Sequence, residues 1–245
     1  MIRDEFVKSG HWLFRWRSYT PLILAAVLLA SLQGFTYPMG SHALDQVWDF
    51  CCYGLALLGL TIRVLTVGFV PRDTSGRNTA KGQVATRLNT TGIYSLLRHP
   101  LYFSNFWMWM GVAVFPRVWW VPVLMMLVYF LVYERIISAE EDFLAEKFGD
   151  EYVAWANKTP IMWPRFRNWV RPDLPFSWRA VLRRENSTFL GMTTIFFILE
   201  MMETWEAEGY LDMDWLWLGL FVFALIAYAI LKVLKKLKYL SETGR

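Results

Sequence analysis

Two short stretches hold most of the residues able to do chemistry. The first is GIYSLLRHPLY, residues 92–102, where Arg98 and His99 stand directly before Pro100 and a strongly apolar run. The second is ERIISAEEDFLAEKFGDEY, residues 134–152, where Glu140 and Glu141 are adjacent. Proline lacks an N–H and disfavours the helical region for the residue before it. A helix is therefore expected to start at Pro100, with Arg98 and His99 held in a non-helical segment at its entrance. The free N–H groups of that helix end favour an anion, and arginine can grip a carboxylate through two parallel bonds. A plainer reading has Arg98 anchored among lipid headgroups and His99 satisfying a helix end.

The second stretch continues an apolar run as an amphipathic helix. At 100° per residue, Ile136, Ile137, Phe143, Leu144 and Phe148 share one face, and Glu140 and Glu141 fall on that same face. Ser138, Asp142 and Glu146 fall opposite. Burying two unpaired carboxylates in an apolar stripe would cost several kcal/mol, so partners are required. Arg98, His99, Arg135 and a bound cationic ligand are the candidates. The plainer reading is a buried ion pair that clamps the two stretches together.

The elements that must position these groups are membrane helices. The chain has 245 residues, is 56% hydrophobic and 18% aromatic, and has a mean hydropathy of +0.29. Its apolar residues come in long runs, as in a polytopic membrane protein. Six runs approach the length needed to span, at roughly 19–37, 47–70, 101–116, 118–135, 187–203 and 214–233. The expected fold is all-α, a helical bundle of about six transmembrane helices with an amphipathic cytoplasmic helix. The third and fourth runs are joined only by FPRV, which permits nothing but an antiparallel hairpin. The first run lacks a small-residue cleavage site and reads as a retained helix rather than a signal peptide.

Lysine and arginine set the expected orientation. Residues 1–18 carry four, 71–100 carry five, 136–187 carry eight and 232–245 carry five. The alternate loops carry almost none, and ETWEAEGYLDMD holds five acids. Positive residues gather on the cytoplasmic side, so both termini and the two large loops are expected there. The net charge of +4 is then explained by topology and calls for no nucleic-acid partner. Tryptophans such as Trp12, Trp16, Trp119, Trp120, Trp215 and Trp217 cluster near span ends as interfacial belts do. Arg63 is expected to snorkel, and Glu200, near the outer end of the fifth run, to face the interface. Cys51 and Cys52 are a vicinal pair, a poor disulfide, and no metal-ligand spacing is present, so no metal is expected.

Taken together, TTGIYSLLRHPLY, a helical hairpin and EEDFLAEKFGDEYVAWANKTP resemble the isoprenylcysteine carboxyl methyltransferase and phospholipid methyltransferase superfamily of membrane enzymes. The resemblance covers about residues 50–165. It implies S-adenosyl-L-methionine as methyl donor at the cytoplasmic ends of the helices. It also implies that Tyr94, Arg98, His99, Pro100, Tyr102, Glu140 and Glu141 line the cofactor pocket. Ser104 departs from the family, which usually has glycine there. The donor carries a sulfonium, an ammonium and a carboxylate. Glu140 and Glu141 suit its cationic parts, and Arg98 or His99 suits its carboxylate. His99, Glu140 and Arg135 are the catalytic candidates, with Arg135 either pairing with Glu140 or orienting an anionic group.

The acceptor stays open among a prenylcysteine carboxylate, an amine-headgroup phospholipid and a lipid phosphate. A lipid or other hydrophobic small molecule from the bilayer covers all three. The expected organisation is residues 1–46 as an N-terminal segment with the first helix, 47–170 as the methyltransferase-like core, and 171–245 as an extension with two spans. A bacterial inner membrane is favoured over an endomembrane because no organelle signal is evident. Two other classes remain: a nicotinamide-dependent membrane reductase of the sterol-reductase type, and a non-catalytic lipid-binding membrane protein.

Overall fold

The computed structural model describes residues 2–16, 20–71, 77–79, 82–211 and 213–242. Helices α1 (Ile2–Trp16) and α2 (Thr20–Ser31) precede the long α3 (His42–Phe69). A two-stranded antiparallel hairpin follows, β1 (Arg77–Thr79) with β2 (Gly82–Val84). Then come the single turn α4 (Ile93–Leu96), α5 (Pro100–Val114), α6 (Trp120–Phe148) and the short α7 (Asp150–Ala156). Helices α8 (Trp178–Glu208) and α9 (Trp215–Lys236) complete the chain. The hairpin falls in a stretch whose turn-forming residues predict only loop.

Each apolar run lies on a helix, but the runs differ in kind. Among the described residues three helices are long and apolar enough to cross a membrane: α3, α6 and α9. Helix α2 has 12 residues and α5 has 15, while α8 carries charges toward both of its ends. The predicted count of six is therefore not matched by six helices of spanning length and apolarity. The apolar window of α9 is only 11% buried in protein. So much unpacked apolar surface belongs in contact with lipid. The chain is a helical membrane protein.

The predicted helix start is observed. Helix α5 begins at Pro100, and His99 before it has φ −122° and ψ 63°. The fourth run and the amphipathic stretch form one continuous helix, α6, in which 118–135 supplies the apolar part and 136–148 projects beyond it. Gly149, with φ 54° and ψ −128°, ends it. Such a conformation is almost closed to residues with a Cβ. The turn sends α7 back toward the start of α5 and buries Tyr152.

Helices α3 and α5 form the inner pair. A Cβ on Gly59 would lie 2.5 Å from the Ser104 carbonyl oxygen, so the backbones touch at this point. Ser104 is fully buried, and its hydroxyl donates to the Leu101 carbonyl at 2.7 Å. The serine thus keeps the close approach expected of a glycine by satisfying itself locally. Small residues permit such approach in membrane helices. Around this seam Cys52, Ala56, Leu60, Phe115, Phe196 and Trp217 form the main core. Trp217 stacks on Phe50 at 5.1 Å, so it is a core residue rather than an interfacial belt.

Gly59→Ala is expected to lower stability by about 1–3 kcal/mol through overpacking. Leu58→Ala, on the exposed neighbouring face, is expected to stay within about 0.5 kcal/mol. Thermal unfolding in detergent checks both.

Candidate functional site

The segment before α5 is held by backbone bonds to a distant stretch. The Arg98 N–H donates to the Pro160 carbonyl at 2.8 Å, the Arg165 N–H to Leu96 at 3.0 Å, and the Gly92 N–H to Val170 at 2.9 Å. The Ser95 hydroxyl accepts from the Val170 N–H at 3.0 Å. The Trp155 indole, carried by α7, donates to the Tyr94 carbonyl at 3.3 Å. Arg98 and His99 are non-helical yet fixed, because their segment spends its hydrogen bonds on residues 155–170.

Their side chains meet the paired glutamates of α6. Arg98 Nη1 lies 2.8 Å from Glu141 Oε1, and His99 Nε2 lies 3.0 Å from the same oxygen. His99 Nδ1 is 3.7 Å from Glu140 Oε2. The Tyr102 hydroxyl donates to Glu140 Oε2 at 2.6 Å. A carboxylate only accepts, so His99 carries a proton on Nε2. Imidazole and the Tyr102 ring stack at 5.5 Å with 12° between planes. The Tyr129 hydroxyl donates to the Tyr102 carbonyl at 2.6 Å, and Tyr129 stacks on Tyr133 at 4.0 Å.

The two glutamates have different tasks. Glu141 does not line the cavity beside it and serves Arg98 and His99. Burial acts to raise its carboxyl, but the His99 bond and the His99 and Arg98 charges outweigh that and hold it below the ordinary value of 4.5. Tyr152 stands beside Arg98 and Glu141, and burial together with the Glu141 charge pushes its phenol up to about 12. Glu140 faces the cavity. So does Tyr94, whose phenol burial and the Glu140 charge raise above its ordinary value; it stays a neutral hydroxyl.

The cavity has a volume of about 440 Å³, within the roughly 300–1,000 Å³ of small-molecule sites. Tyr94, Arg98, His99, Pro100, Tyr102 and Glu140 all line it. Its polar end also holds Asn89, and its other walls are Met108, Trp109, Val112, Met192 and Ile195. Asn89 Nδ2 and Arg98 Nε are buried without a hydrogen-bond partner. Two orphaned donors and an inward carboxylate are what a ligand with both anionic and cationic groups would satisfy.

Arg135 stands apart from this arrangement. It does not line the cavity; its guanidinium lies 4.7 Å from the Phe6 ring centre and donates to the Leu131 carbonyl. Five residues along a helix turn it away from Glu140, and α1 covers it. Arg63, predicted to snorkel, instead lines the cavity and pairs with Glu185 of α8, Nε to Oε2 at 2.7 Å. Its Nη1 donates to Asn105 Oδ1 at 2.7 Å. An ionisable residue inside an apolar run was the available signal. Its partner, 122 residues away, was not readable.

The geometry is that of a helical membrane protein with a buried, charged pocket at one end. Residues 50–151, which include the Arg98–His99 and Glu140–Glu141 pairs, match the phospholipid methyltransferase family model. The chain is 30% identical over 166 residues to the cobalt-zinc-cadmium resistance protein CzcN of Cupriavidus metallidurans, covering 66% of this chain and 67% of that protein. It is 26% identical over 201 residues to the nickel-cobalt-cadmium resistance protein NccN of Alcaligenes xylosoxydans xylosoxydans, covering 81% of this chain and 86% of that protein. No solved structure matches. The chain belongs to the phospholipid methyltransferase family, within the superfamily that its two motifs resemble.

Glu141→Gln leaves Arg98 and His99 without their shared carboxylate and is expected to lower stability by about 1–3 kcal/mol. The ionised Glu141 stabilises the fold above pH 4.5, and this contribution is lost as pH falls through its lower folded value. Between pH 4.5 and that lower value the melting midpoint of the wild type should fall more steeply on acidification than that of the variant. Equal slopes would show that Glu141 is not the group involved.

Proposed function

We propose that the chain is an integral-membrane methyltransferase that uses S-adenosyl-L-methionine to modify a lipid or another hydrophobic acceptor. One observation carries the reading. The Arg98–His99 and Glu140–Glu141 motifs meet at a cavity whose polar end has orphaned donors and whose other walls are apolar.

The residues present fit the cofactor. Arg98 and Asn89, with their unpartnered nitrogens, would receive its carboxylate or sugar hydroxyls. Glu140 would hold its cationic parts, and Tyr94 and Trp155 would bound the same end. When bound, S-adenosylmethionine supplies a methyl group electrophilic enough for direct displacement. The chain's contribution is alignment and exclusion of water. Glu141 keeps Arg98 and His99 in one orientation, and the Tyr102 hydroxyl keeps Glu140 in its own. With Nε2–H committed to Glu141, His99 Nδ1 is the nitrogen able to take a proton from an amine acceptor. A carboxylate or phosphate acceptor needs no base. The Met108, Trp109 and Val112 wall would receive an acyl or prenyl chain, and the Arg63–Glu185 pair would stand beside its headgroup.

In this reading six helices lie in a bacterial inner membrane, with both termini and the pocket on the cytoplasmic side. The core is residues 47–170, and α8 from the extension closes the pocket wall through Ser187, Thr188 and Gly191. The bilayer is the source of the acceptor, and no nucleic acid is involved. The relatives are named for resistance to nickel, cobalt, zinc and cadmium; we place the activity in the same setting, as remodelling of a membrane component.

Calorimetry of the purified protein with S-adenosylmethionine tests the cofactor. Binding is expected in the wild type and at least about tenfold weaker in Glu140→Gln and His99→Ala, with Arg135→Ala unchanged. No binding by folded wild type would overturn the reading. Incubation of membranes with radiolabelled donor, followed by lipid extraction, tests the acceptor: label is expected in the organic phase, and its confinement to the aqueous and protein fractions would exclude a lipid.

A further inference from the structure

At the end of the bundle opposite the cavity, four carboxyl groups are buried together. Asp45 and Asp49 come from the first turns of α3, and Glu200 and Glu203 from the last turns of α8; each is at most 2% exposed. Asp49 and Arg63, on the same helix, are separated by about 21 Å of helix axis, so this cluster is distinct from the pocket. Among the described residues one guanidinium serves it. Arg117, from the α5–α6 turn, pairs with Asp45, and its Nη2 stands 4.0 Å from Glu203 Oε1.

That single cation leaves most of the oxygens unserved. Asp45 Oδ2, Asp49 Oδ1 and Oδ2, Glu200 Oε2, and Glu203 Oε1 and Oε2 are buried and lack a hydrogen-bond partner among the described residues. Asp49 is fully buried, and its oxygens meet no N–H or O–H donor among the described residues, only the neighbouring carboxyl of Glu200. Buried carboxylates without counter-charge are among the least tolerated groups in a membrane protein. A cation at the centre would satisfy them together.

The spacing admits one. Asp45, Asp49 and Glu203 each offer a carboxylate oxygen, and these atoms lie within 4.8 Å of one another. Oxygens bound to one cation at about 2.0–2.6 Å are separated by at most about twice that distance, so the three can share an ion. A second set with the same spacing, His42, Glu200 and Asp214, lies beside it. His42 is exposed there, with Nε2 at 3.9 Å from Glu200 Oε1, and Gln46 donates to Asp214.

We propose that Asp45, Asp49 and Glu203 form a divalent-cation site, reached from the surface through His42, Glu200 and Asp214. The all-oxygen donor set selects a hard or borderline ion of the Mn²⁺ kind. Asp45 and Asp49 stand four residues apart on α3, but Glu203 lies more than 150 residues further along the chain, which is why the full ligand set is not readable in sequence.

Mn²⁺ alone is the probe. Loss of the free-ion paramagnetic resonance signal on adding metal-stripped protein is expected to report one ion per chain, together with a higher melting midpoint. Asp49→Asn and Glu203→Gln should each weaken binding at least about tenfold, while retaining helicity and a single melting transition. His42→Ala should slow uptake more than it weakens equilibrium binding. Failure of the folded wild type to bind, or binding unchanged in both carboxylate variants, would overturn the site. A higher melting point of metal-free Asp49→Asn in a wild type that ignores Mn²⁺ would assign the cluster to shared protons instead. These readouts do not use S-adenosylmethionine, so failure here leaves the pocket's function standing, and the converse holds.

Discussion

The contact between Glu141 and the Arg98–His99 pair is the constraint on which the site depends. Arg98 and His99 arrive on backbone that is neither helix nor strand, because Pro100 forbids helix one residue earlier. Such a segment does not orient long side chains by itself. The carboxylate of Glu141, reached by both side chains within 3.0 Å, gives them one geometry. The same contact ties the start of α5 to the far end of α6, across a hairpin whose own turn is too short to do so. Removing charge from either side would leave an unmatched group in a largely buried place.

Around this clamp the two adjacent glutamates divide their work by helical phase. One hundred degrees of rotation turns Glu141 toward Arg98 and His99 and Glu140 toward the cavity. Tyr102, one turn inside α5, fixes Glu140 and lies flat against His99. Tyr129 fixes the Tyr102 backbone in turn. Stacked rings thus back the charged groups on one side, which lowers the local dielectric and strengthens their contacts. The methyltransferase reading uses this preorganised polar end, and the apolar walls give it a reason to sit in a bilayer.

Much of this was legible in the chain. Proline before an apolar run marked the start of α5, and a carboxylate pair on the apolar face of α6 announced that partners were needed. Both signals are local, since they rest on backbone sterics and on helical period. Long-range pairings left no such trace. Arg63 looked like a snorkelling arginine until Glu185 of α8 was placed beside it, and Glu200 looked interfacial until α3 buried it. Arg135 sat near Glu140 in sequence but on another face, where α1 covers it. The β1–β2 hairpin was hidden by residues that form turns equally well. Spans were counted by apolarity, yet α5 is only 15 residues long and α8 carries charged residues in both of its end segments.

Helix α8 has a mechanical consequence. It is one uninterrupted rod of 31 residues, and Glu185 near its start touches the pocket through Arg63 while Glu203 near its end sits in the acidic cluster. These two positions are about 27 Å apart along the axis, with no proline between them to act as a joint. A rod without a joint moves as one body, so the pocket end and the acidic end of α8 keep a fixed separation.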